Sequence, residues 1–278
     1  MPESIRDRYA IVETRNAAAT FKASHPDLFD EMVAVLDGFF IDVERIVRPG
    51  GNKHFISAEL DEAFRVTGWR EAKFEQKLVT DLVLNPYRPA GEKKKERRTS
   101  TSTYQGHQID NVKGRVGLDV EWNPKDGNLD RDFSNLRALY DAGVLDLGVL
   151  VVRRETGMRE LWRDTIELAK ELHAAEFVSD EWDHRLRKTP ANPLGTATTS
   201  NFEKLVPRIE RGDGGGCPIL AIAITTDCYR PPAGLAAEIR RVALNHARGG
   251  PVERLAQRLH PDAQIGELED AIDDSADE

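Results

Sequence analysis

Two almost unbroken apolar runs constrain the fold of this 278-residue chain more than any other feature. They are VLDLGVLVV (Val144 to Val152) and ILAIAITT (Ile219 to Thr226). Each is far shorter than the roughly 20 apolar residues of a membrane-spanning helix, but long enough for a strand. Strands covered by helices on both faces have such continuous apolar sequences. The runs therefore predict buried central strands of an α/β protein.

The segment before the first run predicts how the sheet is built. Tyr104 to Val112 and Arg115 to Trp122 have strand patterns, and Lys113-Gly114 between them is typical of a tight hairpin turn. An amphipathic helix from Leu129 to Ala142 then leads into the apolar run at Val144. Strand, helix and buried strand form a βαβ unit. We therefore expect a mixed central sheet flanked by helices.

The rest of the chain is predicted to be mainly helical. Within residues 1–90, apolar spacing predicts helices over 27–47, from Ser57 onward, and from Trp69 to Leu84. Residues 91–103 are charged and then rich in Ser and Thr, which predicts a mobile basic loop. Further helices are expected over Met158–Ala175 and 231–247.

The charge distribution leaves the kind of partner open. The net charge is −9, but the last twelve residues, ELEDAIDDSADE, hold seven acids and no base, so removing them leaves −2. Such a tail is typically solvated and disordered. Basic clusters lie at 92–98, 184–188 and Arg153-Arg154. Each can be a solvated face or part of a nucleic-acid surface.

The cysteines and the N-terminus indicate a reducing compartment. Only Cys217 and Cys228 occur. The sequence has no histidine pair near them, so it does not indicate a zinc site. The charged N-terminus has no apolar signal region, and no apolar run is long enough to cross a membrane. We therefore expect a cytoplasmic protein without a membrane partner.

Three acids on the predicted hairpin are the main candidates for chemistry. If Lys113 and Gly114 form the turn, Asp110 lies opposite Gly117, and Asp119 is its diagonal neighbour, about 7–8 Å away at Cα. Glu121 shares the face of Asp119, because alternate residues of a strand point the same way.

Gathered carboxylates repel one another and therefore need a counter-charge. A hard divalent ion such as Mg²⁺ takes carboxylate oxygens and keeps waters for a phosphate substrate. The alternative is structural: Asp119 and Glu121 can lie on a solvated face of the sheet. The buried strands on either side favour the metal-binding interpretation.

Asp110, Asp119 and Glu121 stand in the pattern D-x(8)-D-x-E on a hairpin followed by a helix and a buried strand. This arrangement resembles the PD-(D/E)xK nuclease core. Within that superfamily it resembles the BglII/BamHI branch of type II restriction endonucleases, in which an acid or amide replaces the lysine of the motif. Glu121 occupies that position here. The resemblance covers residues 105–154 well and residues 195–225 more loosely.

The resemblance implies a PD-(D/E)xK restriction-endonuclease-like fold and Mg²⁺-dependent phosphodiester hydrolysis, with Mn²⁺ able to substitute. Asp110 and Asp119 would be metal ligands, joined by the backbone carbonyl of Val120, and Glu121 would orient or deprotonate the attacking water. Relatives also use an acid from the preceding helix. Glu71 and Glu75 are the candidates, and the sequence does not choose between them.

Several polar residues are candidates for DNA contacts, each with a solvated surface position as its alternative. Lys113 and Arg115 lie at the predicted turn, and Asn123 and Lys125 in the loop after the second strand. Residues 189–216 offer short hydrogen-bond donors and a basic helical stripe with spacings of four and three. These donors and basic residues are Thr198, Thr199, Asn201, Lys204, Arg208 and Arg211.

The sequence predicts three regions: a helical part over 1–90, a nuclease core with DNA-recognition loops over 91–266, and the acidic tail over 267–278. The nuclease assignment of the core comes from the resemblance, which does not extend residue by residue to 1–90. The resemblance implies cleavage of double-stranded DNA at a short palindrome by a homodimer. A cognate DNA methyltransferase would be a genetic partner that needs no contact. The alternatives are a PD-(D/E)xK nuclease of DNA repair or junction processing, and a non-catalytic DNA-binding module.

Overall fold

The computed structural model describes residues 1–42, 45–46, 55–174, 194 and 199–230, with the side chains of Asp126 and residues 167–174 excepted. The predicted helix over 231–247, the acidic tail and the basic cluster at 184–188 lie outside these residues. The helices are α1 (Glu3–Arg8), α2 (Ala17–Ser24), α3 (Pro26–Gly38), α4 (Phe55–Val66), α5 (Asp126–Asp141), α6 (Met158–Ala174) and α7 (Phe202–Arg211). The strands are β1 (Tyr9–Glu13), β2 (Arg70–Leu84), β3 (Glu96–Lys113), β4 (Val116–Glu121), β5 (Leu147–Arg153) and β6 (Ile219–Ile224). Short 3₁₀ turns cover Arg88–Ala90 and Thr226–Cys228.

The six strands form one mixed sheet in the order β1-β6-β5-β4-β3-β2. β4, β5 and β6 run parallel, whereas β1–β6, β2–β3 and β3–β4 are antiparallel. Every residue of β5 and β6 is buried. The predicted α/β class, the mixed sheet and the two buried central strands are therefore confirmed.

Each face of the sheet has its own apolar core. One core joins the helices α1 to α4 and α6 to side chains such as Leu118, Val120 and Trp122 of β4 and its extension. The other lies beneath α5 and α7 and includes Leu129, Phe133 and other side chains. Within the described residues, no helix is long and apolar enough to span a membrane.

Two of the predicted elements are wrong. Residues 70–84 form the strand β2 and not a helix, and the second half of the predicted basic loop belongs to the long strand β3. Phe74, Leu78 and Leu82 are four residues apart, which imitates a helix, but backbone pairing with β3 decides the conformation. The predicted boundary at residue 90 thus falls between two paired strands. The predicted helix over 27–47 ends at Gly38.

The turn of the β3–β4 hairpin also differs from the prediction. Lys113 pairs with Val116, so the turn residues are Gly114 and Arg115, and Gly114 has a φ of 57°, which glycine adopts readily. The register is shifted by two positions from the predicted one. Because a shift of two preserves the alternation of side chains, it leaves the predicted faces unchanged.

Candidate active site

The observed register sets Asp110 directly opposite Asp119. Backbone pairing of β3 with β4 runs from Lys113–Val116 to Asn111–Leu118, and Asp110 and Asp119 hold the next position. There the backbone N–H of Asp110 donates to the side-chain oxygen Oδ1 of Asp119 at 2.7 Å, instead of to a backbone carbonyl of β4. The two acids therefore meet where the β3–β4 ladder ends, which is closer than the predicted diagonal arrangement.

Burial makes Asp119 the most constrained of the three predicted acids. Its side chain is only 3% exposed, whereas Asp110 and Glu121 are half-buried. Asp119 lies at the centre of the sheet, because β4 pairs with β5 on its other side and Asp119 is next to Leu150. Water cannot solvate a carboxylate in this position, so its charge must be stabilised by neighbouring groups.

The pKa of Asp119 is raised well above its ordinary value. Burial is the largest cause, followed by the charges of Asp132, Asp110 and Glu121, and the N–H of Asp110 opposes them. These contributions mean that the four carboxylates act on one another. Folding therefore makes the charged form of Asp119 less favourable than it is in the unfolded chain.

Asp132 is the acid that sequence reasoning missed. It lies on α5, is 6% exposed, and has a pKa raised to about 7, chiefly by burial. The charge of Arg131 lowers this pKa, while those of Asp110 and Asp130 raise it. A signal was present in the sequence: Asp132 is three residues after Leu129 and four before Leu136, so it shares their apolar face.

The two buried acids, Asp119 and Asp132, supply carboxylate oxygens, which are the ligands that a hard cation binds. Among the described residues, neither Oδ2 of Asp119 nor Oδ2 of Asp132 has a hydrogen-bond partner, although both are buried. Carboxylate oxygens of this kind suit Mg²⁺ or Mn²⁺. As the side chains stand, the described part of the chain contains no group of three or more His, Cys, Asp or Glu residues that could hold a metal. Asp119 and Asp132 therefore fit a divalent cation, because they offer buried carboxylate oxygens. The positive charge of such an ion would offset the repulsion between the carboxylates.

On the opposite face of β3, a buried hydrogen bond fixes the hairpin to the N-terminal helices. Nδ2 of Asn111 donates to Oδ1 of Asp61 on α4 at 2.6 Å, and both side chains are fully buried. Asn111 immediately follows Asp110, so this contact fixes the backbone from which Asp110 projects.

Glu71 and Glu75 do not lie on a helix preceding the hairpin. Both are exposed residues of β2, and Glu71 forms an ion pair with Arg65 at 3.6 Å. The physical reason is the same pairing of β2 with β3 that overrides the helical spacing. The additional acid near Asp119 comes from α5, the helix that follows the hairpin.

Lys113 and Arg115 at the hairpin turn are held by the protein itself. Nζ of Lys113 contacts both carboxylate oxygens of Glu31, at 2.6 and 2.8 Å, and the Thr67 carbonyl at 2.7 Å. Arg115 donates twice to Asp146, at 2.9 and 2.7 Å. These contacts tie the turn to its surroundings, and phosphate binding by these residues stays a prediction.

Asn123 and Lys125 follow β4 and lie close to the Thr-rich segment. Oδ1 of Asn123 accepts from Nε of the buried Arg153 at 2.7 Å. Lys125 is exposed, and its backbone pairs with Thr199 in an isolated β-bridge. This bridge connects the loop after Glu121 with the candidate donors near residue 200, whereas Thr198 lies outside the described residues.

The other candidate DNA contacts belong to α7 or its start. Asn201 caps the helix by accepting from the Lys204 N–H at 3.0 Å, and Nζ of Lys204 donates to the Thr199 carbonyl at 2.9 Å. Arg208 pairs with Asp130 at 2.7 Å, and Arg211 with Asp213 at 2.7 Å. The predicted basic stripe thus exists on a helix, with its arginines already paired to acids.

This combination of a mixed sheet and an acid-bearing hairpin followed by a helix and a parallel strand defines the class of restriction-endonuclease-like nucleases. The model of the BglII/BglIII restriction endonuclease family matches residues 9–224, which is more than half of the chain. The protein belongs to this family. No curated protein matches the chain.

Family membership makes the chain a type II site-specific deoxyribonuclease that cleaves DNA at specific sequences. The predicted resemblance to the BglII type is thereby confirmed. Restriction endonucleases generally use divalent metals.

Proposed function

We propose that this protein hydrolyses phosphodiester bonds of double-stranded DNA at a short palindromic sequence, with Mg²⁺ as its metal and Mn²⁺ as a substitute. The observation that carries the proposal is the Asp110–Asp119 pair at the end of the β3–β4 ladder. Its members are close enough for the N–H of one to bond the carboxylate of the other, and burial raises the pKa of Asp119. Such a pair is costly to maintain unless a cation joins it.

In this proposal, Asp110, Asp119 and the Val120 carbonyl hold the metal. When bound, Mg²⁺ supplies Lewis-acid polarisation of the phosphate and lowers the pKa of a coordinated water. Asp132, rather than Glu71 or Glu75, is the additional acid, because it is buried and its charge acts on Asp119.

Glu121 orients the attacking water and accepts its proton. It projects from the same face of β4 as Asp119, two residues further along the strand, and it is half-buried. A half-exposed carboxylate can exchange its proton with solvent, whereas Asp119 at 3% exposure cannot do so readily. This difference in exposure supports a metal-holding role for Asp119 and a proton-accepting role for Glu121.

The protein acts as a homodimer, since a palindrome presents two equivalent half-sites to two-fold related subunits. Duplex DNA is the partner, with Lys113, Arg115, Asn123, Lys125, Thr198, Thr199, Asn201, Lys204, Arg208 and Arg211 as candidate contacts. A cognate DNA methyltransferase would protect the host sites in the cytoplasm without binding this chain.

Digestion of a plasmid of known sequence tests the proposal. The wild type with Mg²⁺ is expected to give discrete fragments whose sequenced ends share one palindrome, and Asp119→Asn is expected to leave the plasmid intact. Asp141→Asn, which changes an exposed acid of α5, is the matched control and should cut like the wild type. Cutting that follows DNA structure instead of sequence would favour a repair or junction nuclease. Undiminished cutting by Asp119→Asn would refute the assigned site.

A further inference from the structure

The hairpin of β2 and β3 extends well past the part of these strands that packs on the protein. Eight consecutive residue pairs, from Lys77–Thr103 to Leu84–Glu96, consist entirely of exposed residues. We call residues 77–104 the ribbon. A two-stranded hairpin is marginally stable in water, because neither face is covered. An exposed ribbon of this length therefore indicates a surface that acquires a partner.

The two strands of the ribbon differ in chemistry. β2 contributes exposed apolar side chains, including Leu78 at 55% and Leu82 at 52% exposure. β3 contributes the uninterrupted hydroxyl run Thr99 to Thr103, preceded by Arg97 and Arg98. Hydroxyls and arginines are the donors that proteins use on phosphate oxygens and base edges, and apolar groups can contact the thymine methyl.

The charge of the ribbon is opposite to that of the whole chain. Residues 77–104 hold seven basic residues and three acids, a net charge of +4 within a chain of −9. The basic residues are Lys77, Arg88, Lys93, Lys94, Lys95, Arg97 and Arg98. Positive charge concentrated on a projecting element of an acidic protein is complementary to a polyanion.

The ribbon is continuous with the site. Tyr104 at its base donates from its hydroxyl to Asn135 at 3.3 Å, and Asn135 lies three residues after Asp132 on α5. The Tyr104 ring also packs against Phe74, with ring centroids 5.9 Å apart. Residues 75–84 pair with 96–105 without a register shift. Because alternate side chains of a strand share a face, Ser100 and Ser102 lie on the same face as Tyr104, which is the face toward α5.

The length of β3 suits a duplex that passes through the site. Arg98 and Asp110 are twelve residues apart on one strand, a span of at most about 40 Å. One turn of B-DNA is about 34 Å long, and its major groove admits a two-stranded ribbon. A duplex whose phosphate lies at Asp110 therefore comes within reach of the ribbon.

We propose that the ribbon is a DNA-contacting arm, which lies in a groove of the duplex whose phosphodiester is at Asp110 and Asp119. It contacts the phosphates on both sides of that groove, through Arg98 on the face of Tyr104 and through Arg97 on the opposite face. This inference rests on the proposed function. The ribbon adds affinity beside the catalytic acids and takes no part in bond cleavage.

A binding titration with Arg97→Ala/Arg98→Ala tests the arm. The probe is a labelled duplex of about three helical turns that carries the sequence cut by the wild type, in buffer with Ca²⁺ over a series of salt concentrations. We expect a loss of about tenfold in affinity at low salt, and a slope of log K against log salt that is less negative by about 2. Arg97→Lys/Arg98→Lys should retain the wild-type slope.

Arg6→Ala/Lys22→Ala is the matched control, because it removes two exposed cations from α1 and α2, near the opposite edge of the sheet. It should bind as the wild type does. Unchanged affinity and slope in Arg97→Ala/Arg98→Ala would overturn the arm while leaving the proposed function intact, whereas a wild type that neither binds nor cuts duplex DNA would refute the proposed function itself. A changed sedimentation coefficient of Arg97→Ala/Arg98→Ala without DNA would mean that the ribbon joins two copies of the chain, and would also overturn the arm.

Discussion

One strand, β3, passes through two different environments. Its C-terminal end carries Asp110 and Asn111, which the β3–β4 hairpin and α4 enclose, and its N-terminal end carries the exposed residues 96–103. The enclosed end is acidic and fixed by hydrogen bonds, whereas the exposed end is basic and pairs with β2 among the residues that the structure describes. The same backbone conformation thus carries the candidate active site at one end and an open surface at the other, and the two ends differ in their side chains and in the burial of those side chains.

The largest effect is expected at the enclosed end. Asp119→Asn should reduce the single-turnover rate of DNA cleavage by about 10²–10³-fold or more, because it removes a fixed charge at the reacting centre. Duplex binding should change far less, since Asp119 is buried. Comparable losses in both quantities, relative to the Asp141→Asn control, would show that the acid acts through binding or folding.

Asn111→Ala should destabilise the protein by about 3 kcal/mol, because it removes the fully buried hydrogen bond from Nδ2 of Asn111 to the carboxylate oxygen Oδ1 of Asp61 and leaves a cavity. Thr101→Ala on the same strand, ten residues away and exposed, should change the free energy of unfolding by about 0.5 kcal/mol or less. Urea denaturation of both variants measures the contrast. Equal effects would remove the distinction between the two ends of β3.

The pH dependence of stability sharpens the account of the buried acids. Burial raises the pKa of Asp132 to about 7 in the folded protein, so the folded state binds this proton more tightly than the unfolded state. The contribution of Asp132 to stability without metal should therefore fall as the pH rises from about 4 to about 7. Asp132→Asn should weaken this dependence and gain about 2 kcal/mol at pH 8, because the buried charge is removed.

Thermal unfolding in EDTA at a series of pH values checks this prediction. Asp141→Asn is again the control, since Asp141 is exposed and should leave the pH profile unchanged. The same pH dependence of stability in the wild type and in Asp132→Asn would contradict the raised pKa of Asp132.

The sequence predicted the central strands well, because burial on both faces leaves continuous apolar runs that few other structures produce. The common face of Asp110, Asp119 and Glu121 was predicted despite a wrong register, since the error was two residues and side chains alternate with a period of two.

The errors have a physical cause as well. The conformation of β2 is decided by backbone pairing with a strand that begins twelve residues later, whereas its local spacing favours a helix. Apolar periodicity alone does not point to Asp132, because the pattern is defined by its apolar residues and Asp132 is an acid within that stripe. The roles assigned to the site residues and to the DNA contacts stay predictions.

The central claim is that Asp110 and Asp119 together hold a divalent ion. Isothermal titration of Mn²⁺ into the wild type, Asp119→Asn and Asp141→Asn, each bound to a duplex with a non-hydrolysable linkage at the cut site, tests it most directly. Mn²⁺ is expected to bind saturably to the wild type and to Asp141→Asn, and to lose this binding in Asp119→Asn while the duplex stays bound. Unchanged Mn²⁺ affinity in Asp119→Asn would contradict the claim.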